Sequence, residues 1–127
     1  MTLDPFAVAP AIGLLAATPS AGYTLVNGTG NILQWTAPND GKLHRVQVFA
    51  VQDVTVATTG GQILVSYTLP DGFATSHTVF AAGQAQGDNV VANNFSLLVR
   101  PNTTVTILQN TAMNPGAAVI WCELWGS

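Results

Sequence analysis

The chain holds few side chains capable of chemistry, and their spacing argues against catalysis. Its two histidines are His44 and His77. Neither is expected to have a metal-ligand partner, another His, Asp or Glu, at a spacing such as i+2 or i+4 that aims two ligands at one point. Both read as residues on strand surfaces. Ser66 and Ser76 sit outside any G-x-S-x-G elbow, and no glycine-rich phosphate loop precedes a helix. Among the acids, Asp4, Asp40, Asp71 and Asp88 each lie beside Pro, Gly or Asn, which is the chemistry of turns. No Asp-rich loop supplies the convergent oxygens that calcium requires. Cys122 is the one cysteine, so an intrachain disulfide and a thiolate cluster are both excluded. It alternates with Ala118, Ile120 and Leu124 and reads as a small buried hydrophobe, since reactive thiols need an electropositive setting. The opposite positions carry Val119, Trp121, Glu123 and Trp125. Two tryptophans flanking an acid can stack a sugar ring; a core or subunit contact is the commoner use of such residues, and contact is favoured here over sugar. Three glycosylation sequons, at Asn27, Asn94 and Asn102, are what an Asn- and Thr-rich chain produces by chance. No catalytic residue, metal or cofactor is expected, and the chain does not read as an enzyme.

The elements around these residues read as strands. Met1 to Gly22 is apolar and punctuated by Pro5, Pro10 and Pro19, so it reads as an extended arm. Asp4 stands where a signal peptide would be basic, and the segment is too short and broken for a membrane helix. Two paths are open to it: an edge strand on its own domain, or a reach across to a neighbouring subunit. From Tyr23 to Ser127 the period is mostly two, as in half-buried strands. Strands are predicted at Tyr23 to Asn27, Asn31 to Thr36, Leu43 to Val56, Gln62 to Leu69, Thr75 to Ala81, Val90 to Val99, Thr103 to Asn110 and Ala117 to Trp125. A bulge is expected at Asn93-Asn94. Turn signals such as Pro38-Asn39-Asp40-Gly41 and Pro70-Asp71-Gly72 separate them. About eight strands and no helix predict an all-β antiparallel sandwich, with a jelly roll first and an immunoglobulin-like sandwich second.

Composition bounds the partners. The chain of 127 residues has three basic and six acidic side chains, so 7% are charged, against about a quarter in ordinary domains. Three scattered cations cannot neutralise a run of phosphates or hold an anionic bilayer, so neither nucleic acid nor membrane is an expected partner. Yet 48% of residues are hydrophobic, which excludes disorder. A surface that gives up charge is expected to be covered by protein.

The run Leu33-Gln34-Trp35-Thr36-Ala37-Pro38-Asn39-Asp40-Gly41, followed by Leu43-His44-Arg45-Val46-Gln47-Val48, resembles the strand, A-P-x-D-G turn and strand of compact jelly-roll domains in tailed-phage structural proteins. More loosely it is similar to trimeric C1q/TNF-like heads. Val99 to Ile107 and Ala118 to Trp125 resemble their penultimate strand entry and last strand. The resemblance covers about a third of the chain. It implies a homotrimeric virion protein, either a capsid decoration protein or a tail or fibre head domain, bound to itself and to a major capsid or other virion protein. It implies no catalytic residues. Assembly contacts are expected at Phe6, Val8, Ile12, Leu14 and Leu15 of the arm and at Trp121 and Trp125. A glycan- or receptor-binding head using Trp35, Trp121 and Trp125 is the alternative, and a small hydrolase on the same scaffold comes last.

Overall fold

Alternating burial organises the molecule. Along His44–Val54 every second residue is buried, and the same rhythm runs through Ala118–Gly126 and Thr104–Gln109. Successive side chains of a strand point to opposite faces, so such a pattern survives only where one face is covered. The computed structural model describes residues 13–68, 71–86 and 91–126. They form nine strands: β1 Gly13–Ala17, β2 Tyr23–Thr24, β3 Gly30–Thr36, β4 His44–Val54, β5 Ile63–Thr68, β6 Ala74–Phe80, β7 Val91–Val99, β8 Thr104–Gln109 and β9 Ala118–Gly126.

All pairings are antiparallel and fall into two sheets. The first runs β1-β9-β4-β7, with β2 also on β9; the second runs β3-β8-β5-β6. The chain crosses between sheets at nearly every turn, so neighbours within a sheet are distant in sequence. This is the doubly wound Greek-key order of a jelly-roll sandwich. The two segments β1 and β2 lie in succession along β9, with Gly13 opposite Gly126 and Thr24 opposite Val119. Together they make one edge strand with a break, which reconciles nine segments with the eight positions of the fold.

Residues 13–22 therefore take the first of the two paths open to the N-terminal segment, along their own sheet. Residues 1–12, with Phe6, Val8 and Ile12, lie outside the described residues. At the break Thr18 stands in for the missing ladder. Its N–H donates to the Cys122 carbonyl at 3.0 Å, and its hydroxyl accepts from the Cys122 N–H at 3.0 Å. A turn closed by Gly22 N–H on the Pro19 carbonyl, 2.8 Å, then re-enters at β2. Gly22 has φ +81°, and a Cβ there would sit 2.5 Å from Val119 Cγ1 and 2.9 Å from the Trp121 ring. Only glycine meets both demands without strain.

The strand expected over Tyr23 to Asn27 stops early for a definable reason. Leu25 is fully buried, and Val26 bonds to a side chain instead of a strand. Gln109 accepts from the Val26 N–H at 3.1 Å and donates to the Val26 carbonyl at 2.7 Å and the Thr111 carbonyl at 3.0 Å. A buried amide of this kind must be fully bonded to be tolerated. The bulge expected at Asn93-Asn94 is absent: β7 pairs with β4 without a break from His44↔Val99 to Gln52↔Val91. Register shifts fall in β1, β3 and β6 instead.

The core lies between the sheets. β4 sends in Val46, Val48, Ala50 and Val54; β9 sends in Ile120, Cys122 and Leu124. Facing them are Ile63 and Val65 of β5, Val105 and Ile107 of β8, and Phe80 of β6. Each fully buried aliphatic side chain contributes about 1.5–3 kcal/mol of transfer free energy.

Candidate functional site

The inward positions being spent on the core, the outward positions decide what the molecule presents. On the first sheet the register brings Gln47 opposite Trp125, Phe49 opposite Glu123, Val51 opposite Trp121 and Asp53 opposite Val119. On the far side of β9, Leu14 stands opposite Trp125 and Ala17 opposite Glu123. On the far side of β4, Arg45 stands opposite Leu98 and Gln47 opposite Ser96. Residues directly opposite in a ladder share a face, so all of these lie on one outer surface. It is apolar and open: Leu14 is 52% exposed, Phe49 37% and Leu98 60%. Gln47, Phe49, Glu123 and Trp125 line an open depression near its centre.

The outer surface of the second sheet is built differently. Gln34, Thr106, Ser66 and Ser76 form one row across its four strands, and Thr36, Thr104 and Thr68 form another. The Thr36 and Thr104 hydroxyls are bonded to each other at 3.0 Å. Leu64 and Leu108, opposite one another and half-buried, are an apolar pair at one end of this face.

The residues expected from sequence divide among these surfaces. Leu14, Trp121 and Trp125 share the apolar face. The Trp121 ring also holds the break in the edge strand, its Nε1–H donating to the Ser20 carbonyl at 3.0 Å. Leu15 lies against the core instead. Trp35 is half-buried and packs against the core too, its ring edge-on to His44 at 6.0 Å and 71°. Missing from the sequence reading were Gln47, Phe49, Val51 and Leu98. Their signal was the outward phase of β4 and β7, but only the β4–β9 pairing places them beside the tryptophans.

His44 corrects another expectation. It was read as a strand-surface residue, yet it is 7% exposed and points inward at the end of β4. Its Nε2 lies 3.0 Å from both carboxylate oxygens of Asp40. A carboxylate only accepts, so the ring donates. The partner stands four residues before the histidine, in the turn, so the expectation that His44 has no acidic partner at that spacing is also corrected. Asp40 also accepts the Lys42 N–H at 3.1 Å. The bond from His44, and secondarily that from Lys42, hold the Asp40 carboxyl below its ordinary value of 3.8. Paired with Trp35 of β3, this cluster ties the two sheets at one end. Cys122 is fully buried, and burial pushes its thiol up to about 12, so it remains protonated and unreactive at neutral pH. Among the described residues no three His, Cys, Asp or Glu side chains converge as metal ligands would.

The fold defines the class: a two-sheet antiparallel β-sandwich of jelly-roll order. No protein-family model matches the chain, and no curated protein is found to match it. Solved structures with a similar sandwich include infectious bursal disease virus, Gx strain, at 17% identity and a TM-score of 0.43, with 99% of this chain and 35% of that chain covered. The CBM22-1 xylan-binding domain from Paenibacillus barcinonensis Xyn10C has 14% identity and a TM-score of 0.43, covering 94% of this chain and 96% of that one. The VP2 subviral particle of infectious bursal disease virus has 16% identity and a TM-score of 0.40, covering 91% and 31%. This chain spans about a third of the length of the two viral chains. Likenesses of this degree are of shape, and no function passes through them.

Proposed function

We propose that the chain is a structural subunit of a virion, a capsid decoration protein that assembles as a homotrimer and acts by binding rather than by catalysis. The observation that carries this reading is the apolar outer face of the first sheet. Leu14, Phe49, Val51, Trp121 and Trp125 cluster around Gln47 and Glu123 on that face, with Leu98 at its β7 margin. Such a patch marks an interaction surface, and tryptophans are concentrated in the buried centres of such surfaces. Its partners in this reading are further copies of the chain and a major capsid or other virion protein. Mass measurement under native conditions tests it, on the full chain and on a chain lacking residues 1–12. A species of three chains is expected from the first. Loss of that species in the second assigns residues 1–12 to the trimer contact, and its survival leaves them for the particle. A full chain that stays monomeric at high micromolar concentration overturns the reading.

The depression favours one second reading, a glycan- or receptor-binding head of a phage tail or fibre. The rings of Phe49 and Trp125 flank the amide of Gln47 and the carboxylate of Glu123, a combination able to stack and hydrogen-bond a pyranose. Tryptophan fluorescence that shifts with added oligosaccharide supports this reading, and fluorescence indifferent to sugar but blue-shifted on self-association supports the first.

A further inference from the structure

Three charges stand on the apolar face, those of Arg45, Asp53 and Glu123, and neither Glu123 nor Arg45 has a hydrogen-bond or ion-pair partner among the described residues. Glu123 is half-buried in β9, with Phe49 across the ladder and a tryptophan two positions away on either side. Arg45 is exposed at the start of β4, opposite Leu98. They do not meet within one copy. Arg45 lies four residues along β4 from Phe49, and Phe49 is opposite Glu123; at about 3.3 Å per residue and one strand spacing the gap is roughly 14 Å.

Covering this face creates a problem that only certain partners solve. An apolar surface laid over Glu123 leaves a desolvated carboxylate unpaired, which disfavours the contact strongly. A cation on the covering surface meets that demand best, because charge-assisted hydrogen bonds are the strong ones. Of the three basic residues, Lys42 and Arg100 stand in turns, and Arg45 alone is on the outer face. A second copy of the chain carries the required charge on the same surface that requires it.

We propose that the apolar face is closed by further copies of this chain, with Arg45 of one copy seated on Glu123 of the next. Glu123 belongs to the β1-β9 half of the face and Arg45 to the β4-β7 half. When the faces turn toward a common three-fold axis, the β9 half of each copy meets the β4 half of its neighbour. Each copy then gives one carboxylate and one guanidinium, and the ring closes with no charge left over at these positions. Phe49 and Trp125, which line the depression with Glu123, offer ring faces to the planar guanidinium. Asp53 is the second acid on the face. It lies at the other end of β4, opposite Val119 and away from the depression.

The inference rests on the assembly reading above, and charge reversal in the full chain tests it. The variants are Glu123→Arg, Arg45→Glu, the double variant Glu123→Arg with Arg45→Glu, and Asp53→Arg alone and with Arg45→Glu. The readout is the dissociation constant from sedimentation, with far-ultraviolet circular dichroism confirming the fold. Each of the first two single changes is expected to weaken assembly by about tenfold or more through like-charge contact. The double variant is expected to return within about threefold of the parent, since it restores an opposite pair in reversed order. A trimer indifferent to the single reversals overturns the pairing and leaves the assembly reading intact. So does a double variant as weak as the singles, or rescue through Asp53→Arg in place of Glu123→Arg. A parent chain that never assembles overturns both.

Discussion

The two sheets share one core and present opposite surfaces to the outside. Inward they are alike: Val46, Val48, Ile120 and Leu124 on one side meet Ile63, Val65, Val105 and Ile107 on the other. Outward, β4 and β9 present Phe49, Val51, Trp121 and Trp125, whereas β8 and β5 present Thr104, Thr106, Ser66 and Thr68. The second face is polar without being charged. Its hydroxyls bond to water or to one another, as Thr36 and Thr104 do, and pack as β-branched residues on a pleated surface. Low charge thus has two meanings in one molecule. On the second sheet it is compatible with solvent; on the first it accompanies a surface that water wets poorly.

Matched substitutions at central strands test this contrast most strongly. Phe49→Asp on β4 is expected to weaken self-association at least about a hundredfold, the loss of a central aromatic anchor. Thr106→Asp on β8 is expected to leave it within about threefold, because a rim or solvent charge contributes little. Both are read by sedimentation, and equal effects would erase the distinction between the faces.

A smaller effect is expected at the break in the edge strand. Gly22→Ala forces an alanine into a left-handed backbone and its Cβ against Val119 and Trp121. A loss of about 1–3 kcal/mol in urea unfolding is expected, together with altered quenching of Trp121. An unchanged midpoint would show that the break does not position that ring.

The smallest effect leaves both faces alone. Asp40 titrates lower folded than unfolded, so its contribution is present above its ordinary 3.8 and is lost as pH falls through the depressed folded value. Urea midpoints of the parent are expected to fall below about pH 4, and Asp40→Asn to flatten that fall without altering self-association. A variant that changes assembly instead would place the Asp40–His44 cluster in the interface.

The jelly-roll sandwich was legible because most of its strands alternate strictly and are bounded by Pro, Gly and Asp turns. β1 was not, because Leu14, Leu15, Ala16 and Ala17 carry no alternation; a partner strand decides which of them face outward. The paired asparagines at 93 and 94 were read as a bulge, but a full ladder on both sides of β4 holds β7 in straight register. Half of the candidate face was visible in β9 alone, where Trp121, Glu123 and Trp125 share a phase. The other half sits on β4, about seventy residues earlier in the chain, and no local pattern links the two. His44 was misplaced for a related reason: burial of a polar ring depends on its partner, and the partner was a turn residue.

The pairing of Gly13 with Gly126 has one more consequence. Those two residues, 113 positions apart in sequence, are neighbours at one corner of the first sheet. In spatial terms the sandwich is a closed circuit cut at a single point, and the cut lies beside Leu14 and Trp125. The two ends of the described sandwich thus share one corner, at the margin of the apolar face.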